Sequence, residues 1–126
     1  MIDSFLRSAH LGPGYPWCAA FVTYCHRIHA LPFPAKAPAW SPSWFPSSRI
    51  IPSSHALPGD VFGIYYPALK RIAHVGFIDE SYHNSGNFVI TVEGNTNASG
   101  SRDGDGVHRK RRSKKQIKYI SRWLPD

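Results

Sequence analysis

The chain has 126 residues, 42% of them hydrophobic and 13% aromatic, enough to bury about two-thirds of its unfolded surface in one core without disulfides or metal. That composition excludes a largely disordered chain, and no apolar run approaches the roughly 18 residues that a membrane span needs. Fifteen Lys and Arg against eight Asp and Glu leave a net charge of +7, which favours an anionic partner: nucleic acid, or a bacterial wall bearing carboxylates or teichoic phosphates.

Ile2 to His10 reads as a short helix, capped by Asp3 or Ser4 and closed by Gly12 and Gly14. The stretch MIDSFLRSAHLG lacks the charged-then-apolar pattern of a signal peptide, so work outside the cytoplasm would need another export route. A second helix is expected from Trp17 to about Ala30, ended by Pro32. Cys18, Phe21, Val22 and Cys25 fall at i, i+3, i+4 and i+7 and share one face. Pro16 suits the first turn, and a thiol at a helix start meets orphan N–H groups and the positive end of the dipole, which favour the thiolate. Cys25, one face along, reads as an inert core residue. On a helix the two cysteines lie about 10 Å apart, beyond the roughly 7 Å that a disulfide spans.

From Pro32 to Pro58, seven of 27 residues are proline, which disfavours regular helix or central strand. Trp40, Trp44 and Phe45 give this segment something to bury, either as a loop over the core or as the wall of a substrate groove. The period then changes to two. A Pro-Gly-Asp turn precedes a strand from Val61 to Tyr66; IAHVGFID and NFVITVEGNT are two more, separated by SYHNSGN. SGSRDGDG is a loop, and GVHRKRRSKKQIKYISRW reads as a final hairpin turning near Ser113 to Gln116. Helices first and an antiparallel sheet afterwards imply an α+β class, as one domain over residues 1–126.

His74 lies in IAHVGFID, on the face of Ile72, Gly76 and Ile78, with Gly76 leaving room for a close approach. The next strand delivers Glu93, with Asn95 on the same face under strict alternation. A carboxylate closing a run of Val, Ile and Thr needs a partner if it is buried, and a histidine on the neighbouring strand suits it. Taken singly, His74 also fits a hydrogen-bonded core residue, and Glu93 one that emerges into solvent. Together with Cys18 they meet the needs of thiol catalysis: a nucleophile, a base for its proton, and a group that orients the base, with the Cys18 backbone N–H facing the oxyanion.

PWCAAFV, PGDVFGI, IAHVGFI and ITVEGNTN resemble the motifs of the CHAP domain, the cysteine- and histidine-dependent amidohydrolases and peptidases, over about Gly12 to Trp123. The resemblance implies a papain-like fold with N-terminal helices on an antiparallel sheet. It implies Cys18 as nucleophile, His74 as base, Glu93 as orienting carboxylate and Asn95 as accessory amide. The implied activity is hydrolysis of an amide bond of peptidoglycan, in the stem peptide or at the muramoyl–alanine link. Tyr15, Trp17, Trp40 and Trp44 are the expected groove residues. Calcium is not expected, because LGPGYPW lacks the carboxylates that some phage members carry before the cysteine, and no separate wall-binding domain is visible.

Seven Lys or Arg from Arg109 to Lys118 read as a solvated face, as a dock for anionic wall polymer, or as a nucleic-acid contact. His26 and His29 stand three apart but lack a third ligand, and Asp103 and Asp105 lack the rest of a calcium loop, so neither metal nor cofactor is expected. Asn97-Ala98-Ser99 is a glycosylation sequon by pattern only. The expected partner is peptidoglycan, met by a monomer, with an immunity protein if the chain is an interbacterial toxin. The competing reading is a non-catalytic basic module that binds wall polymer or nucleic acid.

Overall fold

In the computed structural model of the chain, the described residues are 18–38, 40–79, 86–96 (backbone only at 95 and 96) and 106–125. The expected helix over Ile2–His10, Tyr15, Trp17, the loop residues 99–105, the sequon and most of the 81–87 turn lie outside them. One helix, α1 (Cys18–Ile28), packs on a six-stranded antiparallel sheet. The strands are β1 (Ile50–Ile51), β2 (Val61–Tyr66), β3 (Arg71–Ile78), β4 (Phe88–Thr96), β5 (Gly106–Ser113) and β6 (Tyr119–Ser121), in the order β1-β6-β2-β3-β4-β5.

Cys18, Phe21 and Val22 face the sheet as their spacing predicts, but Ala19, Ala20, Thr23 and His26 are buried too, because the proline-rich segment covers a second side of the helix. Proline does not end α1. The chain leaves through Ala30, whose φ of 55° is left-handed, with Leu31 N–H bonded to the His26 carbonyl and Ala30 N–H to that of Arg27. This is a Schellman turn built on alanine where glycine is usual.

Two apolar clusters sandwich the sheet. Towards α1, Val61, Ile72 and Val75 join the helix, Trp44 and Trp123. On the other face lie Ala56, Phe62, Ile78, Val89 and Ile120. Ile72 and Val75 share a face although three apart, because the β2–β3 register slips: Ile64 pairs with His74 but Tyr65 with Ile72, leaving Ala73 as a bulge. His74 therefore shares its side with Gly76 and Ile78 but not with Ile72, correcting the strict alternation expected from sequence.

The expected final hairpin does not form. Residues 113–116 do turn, in a 3-10 helix with a capping box between Ser113 and Gln116, but β6 pairs with β1 and β2 instead of β5. Lys114 N–H is tied to the carbonyl of Asn87, just before β4, and Lys118 N–H to that of Gly63 in β2. Trp123 then reaches Trp44 (centroids 5.1 Å apart), and Arg122 forks onto Asp60 beneath β2.

Candidate functional site

The β3–β4 ladder pairs Phe77 with Val92 and Ile78 with Thr91, with Asp79 N–H bonded to the Ile90 carbonyl, and toward His74 and Glu93 the pairing stops. The N-terminus of α1 meets β3 there, and Cys18, 5% exposed, has its thiol beside the Val75 backbone. Sγ also lies 3.6 Å from Ser41 Oγ. Ser41 opens a 3-10 turn, Ser41–Trp44, in the proline-rich segment; nothing in that aperiodic stretch singled it out.

His74 projects between Cys18 and Glu93. Its Nε2 donates to Glu93 Oε1 at 2.6 Å, while the buried Nδ1 has no hydrogen-bond partner among the described residues, leaving it for the thiol proton. The bulge at Ala73 sits one residue before the ring, where it turns the strand and directs the side chain. Phe62 packs edge-on at 6.3 Å. A Cβ on Gly76 would come within 2.8 Å of Phe62, 2.9 Å of the Val92 carbonyl and 3.0 Å of Glu93 Cγ. The glycine thus makes room for the methylenes of Glu93 and the β4 backbone.

Glu93 is fully buried and saturated. Oε1 accepts from His74 and from Arg112 Nη2 (2.6 Å); Oε2 accepts from Thr91 Oγ1 (2.6 Å) and Arg112 Nε. Arg112 comes from the basic run that reads as a solvated face. Its neighbours fit that reading: Arg109 pairs with Asp79, and Arg111 lies over the exposed Phe88 ring. Arg112 itself is 7% exposed and turns inward. Period-two alternation along β5 placed it opposite Arg109 and Arg111, and that was the available signal.

The electrostatics follow from these contacts. Burial pushes the Cys18 thiol up, but hydrogen bonding and charge from His74, with help from Ser41 and Val75, bring it down to about 7. Burial disfavours a charged His74, yet Cys18 and Glu93 lift it to about 9. Burial opposes ionisation of Glu93, while Arg112 and His74 hold it at about 2. Cys25, lacking such partners, is pushed by burial up to about 11 and stays a protonated thiol at neutral pH. The arrangement can therefore hold a thiolate beside an imidazolium near neutral pH.

The remaining expected residues separate. Trp40 is 52% exposed beside Ser41 and can line a groove. Trp44 cannot: it is completely buried, edge-on to His26 and Trp123, with its Nε1–H on the Pro38 carbonyl. Its role is in the core, because the 3-10 turn points it inward. The β4–β5 register slips between Glu93 and Thr96, and the Asn95 side chain lies outside the described residues. His26 donates from Nδ1 to the Pro32 carbonyl (2.7 Å) and stacks on Phe77, a core role. Among the described residues, no three His, Cys, Asp or Glu cluster as metal ligands, and Asp103 and Asp105 fall outside them. No helix among them is long and apolar enough to cross a membrane. Set against protein-family models, curated proteins and solved structures, the chain finds no match in any of the three.

Proposed function

We propose that this chain is a cysteine amidohydrolase or peptidase of the papain-like CHAP type, cleaving an amide bond of bacterial peptidoglycan in the stem peptide or at the muramoyl–alanine link. The observation that carries the reading is the convergence of a thiol at a helix start, an imidazole and a buried carboxylate from three separate elements. The motifs PWCAAFV, IAHVGFI and ITVEGNTN supply the substrate class, and the net charge of +7 suits an anionic wall.

In this mechanism His74 Nδ1 takes the Cys18 proton, and the thiolate attacks the amide carbonyl carbon. The oxyanion faces the backbone N–H of Cys18, which at the start of α1 has no intrahelical acceptor. When the C–N bond breaks, the imidazolium protonates the departing amine, leaving a thioester on Sγ. Water, deprotonated by His74, attacks that thioester; the carboxylic acid leaves and the thiol is restored. Glu93 fixes the ring so that Nδ1 faces sulfur, and stabilises the imidazolium.

Mass spectrometry of fragments released from purified sacculi tests the reading and identifies the scissile bond. Wild type and Cys25→Ala should release fragments; Cys18→Ala, folded, should release none. Binding to sacculi without release by any form would support the non-catalytic basic module instead.

A further inference from the structure

The buried cluster around Glu93 can be counted as charges. Cys18 and Glu93 are anionic, and His74 and Arg112 cationic, when the thiol has given up its proton. The sum is zero. With the proton back on sulfur, Glu93 and Arg112 remain and the sum is again zero. In a thioester the sulfur is neutral, His74 is neutral, and the sum does not change. Taking Arg112 away would make every one of these states a buried net anion, and burying an uncompensated charge is costly enough that the group neutralises instead. The site most able to take up a proton from solvent would then be Glu93, fully buried and with Thr91 as its other donor besides His74.

We infer that Arg112 is a positioning residue: by pairing with Glu93 through both Nε and Nη2 it keeps the exchangeable proton between Cys18 and His74 and off the carboxylate. The inference rests on the thiol–imidazole reading above and adds a role for one arginine of the basic run. The fork matters as well as the charge. Two parallel N–H donors fix the carboxylate plane, so that Oε1 is presented to His74 and Oε2 to Thr91. Other groups face the cluster: Cys18 from α1, Ser41 from the 3-10 turn, His74 from β3, and His108 and Lys110 from β5. His108 is paired with Glu93 across the ladder, and Lys110 feels both Arg112 and Glu93. Neither has a side-chain hydrogen bond to Glu93, whose oxygens are already filled.

The test reads the thiolate directly, without turnover. Iodoacetamide alkylation of Cys18 in the full chain, located by peptide mass spectrometry, is followed across the neutral and alkaline range for wild type, Arg112→Met and Arg112→Lys. Wild type should titrate near 7. In Arg112→Met the midpoint should move toward the ordinary thiol value of 9.0, and the rate at neutral pH should fall on the order of 10-fold. Arg112→Lys, which restores charge without the fork, should recover part of that loss. A purely structural arginine would lower thermal stability in both variants and leave the midpoint of the folded protein where it was; that result overturns the inference. If Arg112→Met does not fold, Arg112→Lys decides alone: a midpoint raised part of the way toward the ordinary thiol value supports the inference, and one still near 7 overturns it. The two levels are separable: wild type that alkylates at a low midpoint but releases nothing from sacculi defeats the hydrolase reading and leaves the arginine inference standing.

Discussion

Glu93→Gln is the most informative single change, because its cost can be worked out from four hydrogen bonds. The carboxylate accepts from His74, Thr91 and twice from Arg112. An amide of the same shape offers one acceptor oxygen and one NH2 group. With the oxygen towards His74, the NH2 faces Arg112 Nε–H and the Thr91 hydroxyl. Thr91 can turn, since the Lys110 carbonyl lies 3.5 Å from its Oγ1. Arg112 cannot, and it becomes a buried cation without a counter-charge. Breaking a buried pair in this way costs about 3–5 kcal/mol, against a total stability of about 5–15 kcal/mol for a domain, so the variant should fold but melt at markedly lower urea. With the amide turned the other way, its NH2 confronts His74 Nε2–H and the ring loses its orientation. Either way the imidazolium loses its counter-charge, and hydrolysis should slow by on the order of 10² or more. Urea unfolding gives the first quantity, and turnover of a soluble stem-peptide substrate gives the second. Asn95→Ala should cost less, because an amide adds no charge. Full activity and stability in Glu93→Gln, with Asn95→Ala inactive, would refute the reasoning and make the third residue the asparagine, as in a Cys-His-Asn site.

Activity should rise as pH passes about 7 and fall as it passes about 9, two apparent values that belong to the Cys18–His74 pair and are read from a rate profile on a soluble peptide. Glu93 is held at about 2, below its ordinary 4.5, so its contribution, on the order of 3 kcal/mol, is complete above 4.5 and lost as pH falls toward 2; urea midpoints across that window should show it. Ala30→Gly should raise stability by roughly 1 kcal/mol in thermal or urea unfolding, because the left-handed φ of 55° burdens a Cβ and not a glycine. Wall binding should weaken with salt, since exposed charges are screened beyond about 8 Å at physiological ionic strength. Replacing Arg109, Lys110 and Arg111 by Gln, with Arg112 left in place, should remove most of that dependence in a sacculus pull-down and spare cleavage of a small peptide.

How much of this was legible before the structure follows from the physics of each signal. Cys18, His74 and Glu93 stood out because each is costly or reactive where periodicity placed it: a thiol at a helix start, and an imidazole and a carboxylate among β-branched residues. The bounds of β2 match the alternation residue for residue, and β3 and β4 differ from it only at their ends. Arg112 was hidden by composition, since a run of like charges reads as solvated even when alternation turns one member inward. Ser41 and Trp44 lie in a segment without period, so their directions depend on a 3-10 turn that proline spacing does not specify. The bulge at Ala73 and the slip after Glu93 leave no mark on the sequence. The final hairpin failed because neighbouring strands usually pair, whereas the capped turn at Ser113 redirects the chain to the free edge of β2.

The place of β6 has a consequence for synthesis. β2 to β5 can pair in the order in which they leave the ribosome, each new strand adding to the one before. β1 cannot; its partner is β6, some seventy residues later, and until Tyr119 to Ser121 emerge the edge of β2 carrying Val61 to Gly63 stays unpaired. A nascent chain paused before Tyr119 already holds the residues of the Glu93 cluster, but it also presents a free apolar edge of the kind that recruits other chains. Sealing that edge falls to the last strand of the sheet, and Arg122 and Trp123 immediately after it fasten it down, the one to Asp60 and the other against Trp44.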